Sequence, residues 1–520
     1  GVLEVVPLVA DEAHHVGIAF EVLAEGELVV VGTGEVGHRP EAVAGRGAGG
    51  GDDLVIDVGT DGQSNDVVFG DHGQVTYFGL DRSQQYTIRS TEPLTTPCFD
   101  QWPYLYSWYN SAVEFSSLTG SSETDATAAL SDDDTVYLDS GTNLIIAGPG
   151  DDVVKSFGGY NTVLGDDGQV VITRDSGTAV STRTTIGSKN ETSGGQDTIY
   201  LVEGDNRVIG GAASDTICTV ATAADDFEQA TCPTASGSGS GQGGTSSQAG
   251  SLRAYVLGDN GELTIDANDI LTLIQSGNVG GTVHGADDII TLTSGVNVAI
   301  GGQGSDTITA LQGTNTIVGD DGKVEFVADG VVGLITSIET TNHGNGAGDM
   351  ISLGGGVNRV MAGAGPDTVT IGAGTNIVLG DEGSLTVNSD GTTTIQTING
   401  SVGDTDTINV GEGYNVALGG AAGDVVTVSG TSTDSQGIVL GDNGTMTLSS
   451  SGELVSIESS DYSYGAADTI QLTSGTNTVI GGVGADTITA GSGTNVVLGD
   501  DGEATFTSGT LTSIQSTNSD

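Results

Sequence analysis

Aspartates recur at a fixed interval along much of this chain. Asp288 and Asp306 lie eighteen positions apart, and the same interval separates five further pairs. The further pairs are Asp134 and Asp152, Asp197 and Asp215, Asp349 and Asp367, Asp406 and Asp424, and Asp468 and Asp486. A backbone that repeats at this interval stacks such carboxylates about 5 Å apart, where they repel one another unless a cation lies between them. The spacing therefore predicts a row of cation sites.

A second acidic motif consists of two apolar residues followed by Gly-Asp-x-Gly. Its seven aspartates are Asp71, Asp166, Asp259, Asp320, Asp381, Asp442 and Asp500. The intervals from Asp259 to Asp442 are equal, whereas the two before Asp259 are longer by about half and the last is slightly shorter. The chain is therefore a series of modules, of which the earlier ones carry insertions.

Asparagines lie midway between the paired aspartates, so the repeating unit divides into two halves of nine. Residues 301–309 and 310–318 read GGQGSDTIT and ALQGTNTIV. Each half is a glycine-rich turn followed by about three strand residues, and alternation points Ile308 inward and Thr307 and Thr309 outward. A chain that turns every nine residues coils into rungs of two short parallel strands. One edge of the coil is then lined by Asp and the other by Asn.

The part of each module after Gly-Asp-x-Gly is less regular. Residues 323–326 and 334–338, KVEF and LITSI, keep the alternation but lack the aspartate turn. We interpret this part as a third rung, so the predicted fold is all-β: a parallel β-solenoid or β-roll of about seven three-rung modules with loop insertions. Because this rung has an apolar residue such as Val324 in place of Asp, metal sites are expected in clusters, one per module.

The nonapeptide Gly-Gly-x-Gly-x-Asp-x-hydrophobic-x resembles the hemolysin-type (RTX) calcium-binding repeat of secreted bacterial proteins. Residues 301–306 and 481–486 match this motif in full. The resemblance implies a parallel β-roll in which carbonyl oxygens of the turns and the Asp carboxylates bind Ca2+, the expected cofactor. The expected metal ligands are Asp134, Asp152, Asp197, Asp215, Asp288, Asp306, Asp320, Asp349, Asp367, Asp381, Asp406, Asp424, Asp442, Asp468, Asp486 and Asp500.

Two features of the repeat leave alternatives open. Asp288, Asp306 and Asp320 are expected at turns on one edge in consecutive rungs, yet Gly-Asp-x-Gly is equally consistent with a turn whose Asp caps backbone N–H groups. Where the family has Asp, the alternate nine has Asn, so that edge either binds calcium weakly or forms an asparagine ladder.

Composition restricts the class of protein. The chain has 12 Lys plus Arg against 69 Asp plus Glu, a formal charge of -57, so the phosphate backbone of a nucleic acid would be repelled. Every apolar run is too short to cross a bilayer as a helix, and no membrane span is expected. The six histidines are scattered without a catalytic spacing, and the repeat already accounts for the paired acids, so we do not expect an enzyme.

The segments between repeats suggest the domain organisation. The three cysteines do not form a disulfide scaffold, although Cys218 and Cys232 bracket a short loop and could pair, leaving Cys98. Trp102 and Trp108 lie in an aromatic insertion, which is either a contact surface or a loop packed on the solenoid. The predicted segments are 1–50, an N-terminal cap or assembly segment; 51–81, a first partial module; 82–130, the aromatic-rich insertion; 131–217, β-roll modules; 218–250, a Cys- and Ser/Gly-rich insertion; and 251–520, regular β-roll modules.

These features favour a secreted structural protein that acts outside the cell or on its surface. Its expected partner is itself, as a homopolymer packed laterally or end to end in a fibre, sheath or surface layer, with a polysaccharide or cell-surface component as an alternative. Outward threonines such as Thr307 and Thr309 provide flat faces of low charge for lateral packing. Two other functions are consistent with the sequence: the rod module of a large calcium-dependent adhesin, and ice binding by Thr and Asn ladders. The start at Gly1 implies, for an exported chain, a removed leader or a longer polypeptide.

Overall fold

The computed structural model describes part of the chain. It describes side chains from residue 133 onward, over residues 133–138, 141–156, 158–174, 181–188, 194–202, 204–220, 231–232, 253–268, 270–277, 285–327 and 334–517, apart from a few at strand ends. Before residue 133 it describes the backbone of eight strands. The predictions on the aromatic cluster 97–109, on Cys98 and on the Ser/Gly-rich stretch 234–250 lie outside the described residues.

The chain divides into two compact units, Gly1–Cys232 and Pro233–Asp520. The described strands of the first unit are β1 (Gly17–Val22), β2 (Leu28–Thr33), β3 (Glu41–Ala44), β4 (Leu54–Ile56), β5 (Asp66–Phe69), β6 (Gly73–Tyr77), β7 (Tyr86–Ser90), β8 (Phe115–Ser117), β9 (Thr135–Leu138), β10 (Gly141–Ile146), β11 (Val153–Ser156), β12 (Gly159–Leu164), β13 (Gly168–Arg174), β14 (Ser181–Ser188), β15 (Thr198–Val202), β16 (Gly204–Gly211) and β17 (Thr216–Val220).

The described strands of the second unit are β18 (Arg253–Asp259), β19 (Gly261–Asp266), β20 (Leu271–Ser276), β21 (Ile289–Leu292), β22 (Gly295–Ile300), β23 (Thr307–Ala310), β24 (Gly313–Val318), β25 (Gly322–Phe326), β26 (Ile335–Thr340), β27 (Met350–Leu353), β28 (Gly356–Met361), β29 (Thr368–Ile371), β30 (Gly374–Leu379), β31 (Gly383–Val387), β32 (Thr393–Thr397), β33 (Thr407–Val410), β34 (Gly413–Gly420), β35 (Val425–Val428), β36 (Gln436–Asp442), β37 (Gly444–Leu448), β38 (Leu454–Ser459), β39 (Thr469–Leu472), β40 (Gly475–Ile480), β41 (Thr487–Ala490), β42 (Gly493–Leu498), β43 (Gly502–Thr507) and β44 (Thr510–Ser516).

Three sheets build the second unit. Sheet A contains the strands after the Asp turns, in the order β21-β23-β27-β29-β33-β35-β39-β41, and sheet B contains the strands after the Asn-side turns, in the order β18-β22-β24-β28-β30-β34-β36-β40-β42. Both sheets are parallel and in register, for example Ile290 with Ile308 and Asn297 with Asn315. Sheet C is antiparallel, in the order β19-β20-β25-β26-β31-β32-β37-β38-β43-β44. The predicted all-β parallel solenoid is therefore confirmed.

Side-chain alternation explains the core. In β23, Ile308 is fully buried between the part-buried Thr307 and Thr309, as the sequence predicts. Inward positions of sheet C, such as Val324 and Ile338, are equally buried. The described core consists mostly of Val, Ile, Leu and Ala, in keeping with the low aromatic content of the chain.

The predicted third rung is instead a β-hairpin in sheet C. Strands β25 and β26 pair antiparallel, and β26 pairs antiparallel with β31 of the next module. The chain reverses between Phe326 and Ile335 and returns antiparallel beside its own strand. Each module thus contributes two strands to each sheet, so the three sheets grow by the same number of strands per module.

The rungs on either side of a hairpin remain neighbours. Strand β23 before the hairpin pairs in register with β27 after it, so Ile308 lies beside Ile351. The prediction that an Asp-free rung interrupts every module is therefore wrong. The stack of Asp-bearing turns continues past each hairpin.

An asparagine ladder forms the edge opposite the Asp turns. Asn315 donates from Nδ2 to Asn358 Oδ1 at 2.8 Å and accepts from Asn297 Nδ2 at 2.8 Å. Asn358 and Asn376 continue the ladder at 2.8 Å per step. Of the two alternatives for this edge, the structure confirms the ladder.

The first unit contains the same parallel sheets and a disulfide. Strands β9, β11, β15 and β17 form one parallel series, and β10, β12 and β16 form another. Cys218 and Cys232 are bonded, as the sequence suggested, with an S–S distance of 2.08 Å. Among the described residues, no helix is long and apolar enough to cross a membrane.

Candidate metal centre

The aspartates of the nonapeptide turns form a continuous file. In the second unit, Asp306 accepts through Oδ1 a hydrogen bond from the backbone amide of Asp288 at 2.8 Å, and the amide of Asp306 donates to Asp349 Oδ1 at 2.8 Å. The same step, at 2.7 to 2.9 Å, links in order Asp349, Asp367, Asp406, Asp424, Asp468 and Asp486. In the first unit it links Asp134, Asp152, Asp197 and Asp215. Twelve of the sixteen predicted ligands therefore lie in these two files.

The second carboxylate oxygen of these residues points into a buried site. In eight of them Oδ2 is buried and has no hydrogen-bond partner. These eight are Asp197, Asp306, Asp349, Asp367, Asp406, Asp424, Asp468 and Asp486. A buried charged oxygen without a partner is destabilising by several kcal/mol, so each of these carboxyl groups is either neutral or beside a cation.

Burial dominates the protonation of the file. Loss of hydration raises the pKa of Asp406 and of Asp468 to about 7, and that of Asp367 and of Asp424 to about 9. Neighbouring carboxylates add to the effect; at Asp367 the largest such contribution is repulsion from Asp406. Burial likewise raises the pKa of Asp197, Asp306, Asp349 and Asp486. These carboxylates ionise readily at neutral pH only if a cation lies beside them.

Glycines complete the surroundings of most of these Oδ2 atoms. A Cβ on Gly301 would come within 3.0 Å of both Asp306 Oδ2 and the carbonyl oxygen of Gly319, closer than real side chains approach. The φ angle of Gly301 is not in the left-handed region, whereas that of Gly302 is 113°. Space, rather than backbone conformation, therefore requires glycine at position 301. We call this arrangement the cradle: a carboxylate oxygen and a carbonyl oxygen lie on the same side of a glycine Cα.

The cradle repeats at eight described glycines. Each cradle consists of a glycine, one Asp Oδ2 and the carbonyl oxygen of the next rung's equivalent residue. They are Gly165 with Asp197 and Gly210, Gly258 with Asp288 and Gly301, Gly301 with Asp306 and Gly319, Gly319 with Asp349 and Ala362, Gly380 with Asp406 and Gly419, Gly419 with Asp424 and Gly441, Gly441 with Asp468 and Gly481, and Gly481 with Asp486 and Gly499.

The glycine of Gly-Asp-x-Gly is a site residue that the sequence interpretation missed. Gly319 and Gly441 belong to this motif, yet they occupy the same position in the cradle as Gly301 of the nonapeptide. The spacing contained the signal, since Gly319 follows Gly301 at the same interval that separates the paired aspartates. The two turn motifs therefore alternate along one edge and supply the same kind of oxygen.

The aspartate of Gly-Asp-x-Gly is placed differently from those of the file. Asp259 accepts hydrogen bonds from the backbone amides of Ala286 at 3.1 Å and Gln303 at 2.5 Å. Asp442 accepts from the amides of Ala466, at 3.1 Å, and Val483. Asp320 and Asp381 accept in the same way from the amides of Ala364 and Ala421. This geometry favours backbone capping, and metal ligation by Asp320, Asp381 and Asp442 stays a prediction.

The file continues from Asp306 to a residue that lies beyond the hairpin. Asp349, not Asp320, accepts a hydrogen bond from the amide of Asp306. The reason is that β27, which follows the hairpin, pairs with β23, which precedes it. Asp500, in the last Gly-Asp-x-Gly turn, is exposed, and a Cβ on the adjacent Gly499 would meet no atom within 4 Å.

Replacing Asp442 by alanine distinguishes capping from ligation. We expect Asp442→Ala to leave the number of bound calcium ions unchanged and to lower the free energy of unfolding by about 1–3 kcal/mol for each amide left unpaired. The metal count by equilibrium dialysis and denaturant unfolding of the loaded protein measure the two effects. Asp306→Ala is the matched control, expected to lose calcium; loss of an ion from Asp442→Ala would make that residue a ligand.

The residues of the file fit calcium. Ca2+ takes six to eight oxygens and accepts backbone carbonyls together with carboxylates. Among the described residues, no three Asp, Glu, His or Cys side chains converge on a metal position. The oxygens that do converge in a cradle are one carboxylate and one carbonyl oxygen, which suit a hard cation better than zinc, an ion usually bound by His and Cys.

Comparison with known families agrees with this site. The family described as RTX calcium-binding nonapeptide repeat (4 copies) matches residues 120–154, 137–172, 191–219, 291–323, 352–384 and 465–505. No curated protein and no solved structure matches the chain. The matched segments omit residues 385–464, yet Asp406 and Asp424 continue the file there with the same hydrogen bonds.

The chain folds as a parallel β-roll-like structure, and its matched segments contain RTX calcium-binding nonapeptide repeats. The resemblance to this repeat is confirmed, and so is Ca2+ as the ion that it binds.

Proposed function

We propose that this chain is a secreted structural protein, the subunit of an extracellular fibre, sheath or surface layer in which calcium-stiffened β-rolls pack side by side. The main support for this proposal is the outer face of sheet A in the second unit. We propose that this face packs against the same face of a second copy of the chain. The role is structural rather than catalytic.

The outer face of sheet A has no charged side chain over eight consecutive strands. Its two columns of outward residues are Ile289, Thr307, Met350, Thr368, Thr407, Val425, Thr469 and Thr487, and Thr291, Thr309, Ser352, Thr370, Asn409, Thr427, Gln471 and Thr489. Met350 is 58% exposed and Ile289 46%, so the face is partly apolar. In a chain with 69 acidic residues, an uncharged face of this length is the place where two copies approach without repulsion.

The size of the face suits self-association. Eight strands about 4.8 Å apart and four residues wide give roughly 500 Å² per copy, so a pair buries about 1,000 Å², the lower limit for a specific interface. Two flat sheets pack face to face about 10 Å apart through small and β-branched side chains. A basic partner would instead prefer the acidic surfaces.

The compartment follows from the disulfide and the ion. The Cys218–Cys232 disulfide is typical of proteins that fold in an oxidising environment. RTX calcium-binding repeats, which match this chain, are likewise typical of secreted proteins. Both observations support the extracellular location of the proposal.

A charge placed on the outer face tests the packing. We expect Met350→Glu combined with Thr370→Glu to abolish calcium-dependent assembly, because four carboxylates would then meet in each paired interface. Light scattering and electron microscopy in millimolar calcium measure assembly. The matched control is Thr386→Glu, an exposed outward threonine of sheet C that should leave assembly intact.

Two outcomes would contradict the proposal. Unchanged assembly of the double variant would place the contact elsewhere, and a wild-type chain that stays monomeric in calcium would favour the adhesin rod. Ice binding is less well supported, because Ile289, Met350 and Val425 interrupt the threonine column. A thermal-hysteresis measurement on the wild type examines it separately.

A further inference from the structure

The glycine of the cradle is replaced by alanine at two described rungs. Ala147 stands at this position in the first unit and Ala362 in the second, and both are buried. In sequence they take the place of the first glycine of the nonapeptide, as in residues 362–367, AGAGPD, against 301–306, GGQGSD.

The backbone around Ala362 is the same as that around Gly301. The amide of Ala362 donates to the Leu379 carbonyl at 3.0 Å, just as the Gly301 amide donates to the Val318 carbonyl at 3.0 Å. The Asp of the rung is also held in the same way, since Asp367 Oδ1 accepts the amide of Asp349 at 2.7 Å. Alanine therefore adds a methyl group at this position without changing the backbone hydrogen bonds around it.

The methyl group of Ala362 occupies the space that a glycine leaves open. At Gly301, a Cβ would overlap both Asp306 Oδ2 and the next carbonyl oxygen. Because the backbone of Ala362 is hydrogen-bonded like that of Gly301, we infer that its Cβ lies on the side where Asp367 Oδ2 and the Gly380 carbonyl would otherwise converge. An apolar methyl between two oxygens prevents them from sharing an ion with ligand distances of about 2.3–2.6 Å.

We propose that glycine in the cradle admits calcium and alanine excludes it, so that the calcium file of the second unit is divided at Ala362. The ions form one run at Asp288, Asp306 and Asp349 and another from Asp406 to Asp486, with the Asp367 turn free of metal. The same rule leaves the Asp152 turn beside Ala147 free of metal in the first unit. This inference rests on calcium binding in the cradles proposed above.

Removing the methyl group tests the rule. We expect Ala362→Gly to bind one more calcium ion per chain than the wild type and to melt at a higher temperature in saturating calcium. Gly301→Ala should bind one ion fewer. Calcium per chain is measured by equilibrium dialysis with atomic emission, and melting by circular dichroism.

Ala364→Gly is the matched control. Ala364 is two residues from Ala362 and also buried, but it lies outside the cradle, so its replacement should leave the calcium count unchanged. A gain of an ion in Ala362→Gly cannot arise from misfolding, which keeps the test decisive even if Gly301→Ala fails to fold.

The outcomes separate this rule from the calcium assignment itself. An unchanged count in Ala362→Gly, with calcium bound to the wild type, would overturn the rule alone. A wild type whose bound calcium is unaffected by Asp306→Ala would overturn the cradle as the calcium site. A gain in Ala364→Gly as large as that in Ala362→Gly would show that flexibility, not space, controls binding.

Discussion

Chelating calcium at pH 8 is expected to unfold the β-roll, and lowering the pH to 5 without calcium is expected to restore it. At pH 8 the buried carboxylates of the file must ionise, and without a cation they repel one another. Burial raises the pKa of Asp406 and Asp468 to about 7 from an ordinary value of 3.8. Each such shift corresponds to roughly 4 kcal/mol once both folded and unfolded states are ionised. Several together exceed the typical stability of a domain, about 5–15 kcal/mol.

The stability of the calcium-free protein falls as the pH rises, whereas the stabilisation by calcium increases with pH. Without calcium, the folded state holds protons on Asp367, Asp406 and Asp424 more tightly than the unfolded state does. The stability of the calcium-free form is therefore highest below about pH 4 and is lost as the pH rises through the folded pKa values of about 7 to 9. With calcium, the ionised form is the one that binds, so calcium stabilises strongly at pH 8 and little at pH 5.

Melting curves at pH 5 and pH 8, each with calcium and with chelator, measure this prediction by circular dichroism. Magnesium at the same concentration is the control for ionic strength, since it prefers a tighter octahedral site and keeps its waters. A calcium-free protein whose melting temperature rises from pH 5 to pH 8 would contradict the assignment of buried, unpaired carboxylates.

Asn315→Ala is expected to lower the free energy of unfolding by about 3–5 kcal/mol, because several buried polar groups lose their partners at once. Its Nδ2 donates to Asn358 Oδ1 at 2.8 Å and to the Leu311 carbonyl at 3.1 Å, and its Oδ1 accepts from Asn297 at 2.8 Å. Asn315 is fully buried, so the freed groups lie where solvent does not reach them.

Asn495 provides the matched control for the ladder. It accepts from Asn477 at 2.8 Å and donates to the Gly491 carbonyl at 3.0 Å, but it is exposed at the end of the unit. Asn495→Ala should therefore cost less than about 1 kcal/mol, because water satisfies the freed groups. Denaturant unfolding in saturating calcium measures both variants. Equal effects at positions 315 and 495 would show that burial does not determine the strength of the ladder.

The sequence alone predicted the local features of the fold. Ile308 lies inward between Thr307 and Thr309 because side chains alternate along any strand, whatever it pairs with. Asp306 and Asn315 lie on opposite edges because nine residues separate two turns of the same coil. The cation-binding character of the Asp edge followed from the repulsion of stacked carboxylates, which depends on spacing alone.

Tertiary structure decided which strands pair and in which direction. The alternation in 323–326 fits a parallel rung and an antiparallel hairpin equally well, and only the antiparallel pairing of β25 with β26 distinguishes them. The parallel pairing of β23 with β27 brings Asp349, which lies beyond the hairpin in sequence, next to Asp306 and makes the file continuous. The parallel pairing of β22 with β24 places the Gly319 carbonyl, rather than the Asp320 carboxylate, in the cradle of Gly301. Residue types and spacing thus predicted which kinds of group could bind calcium, whereas contacts distant in sequence decided which oxygens meet, because a period along one chain contains no information on strand direction.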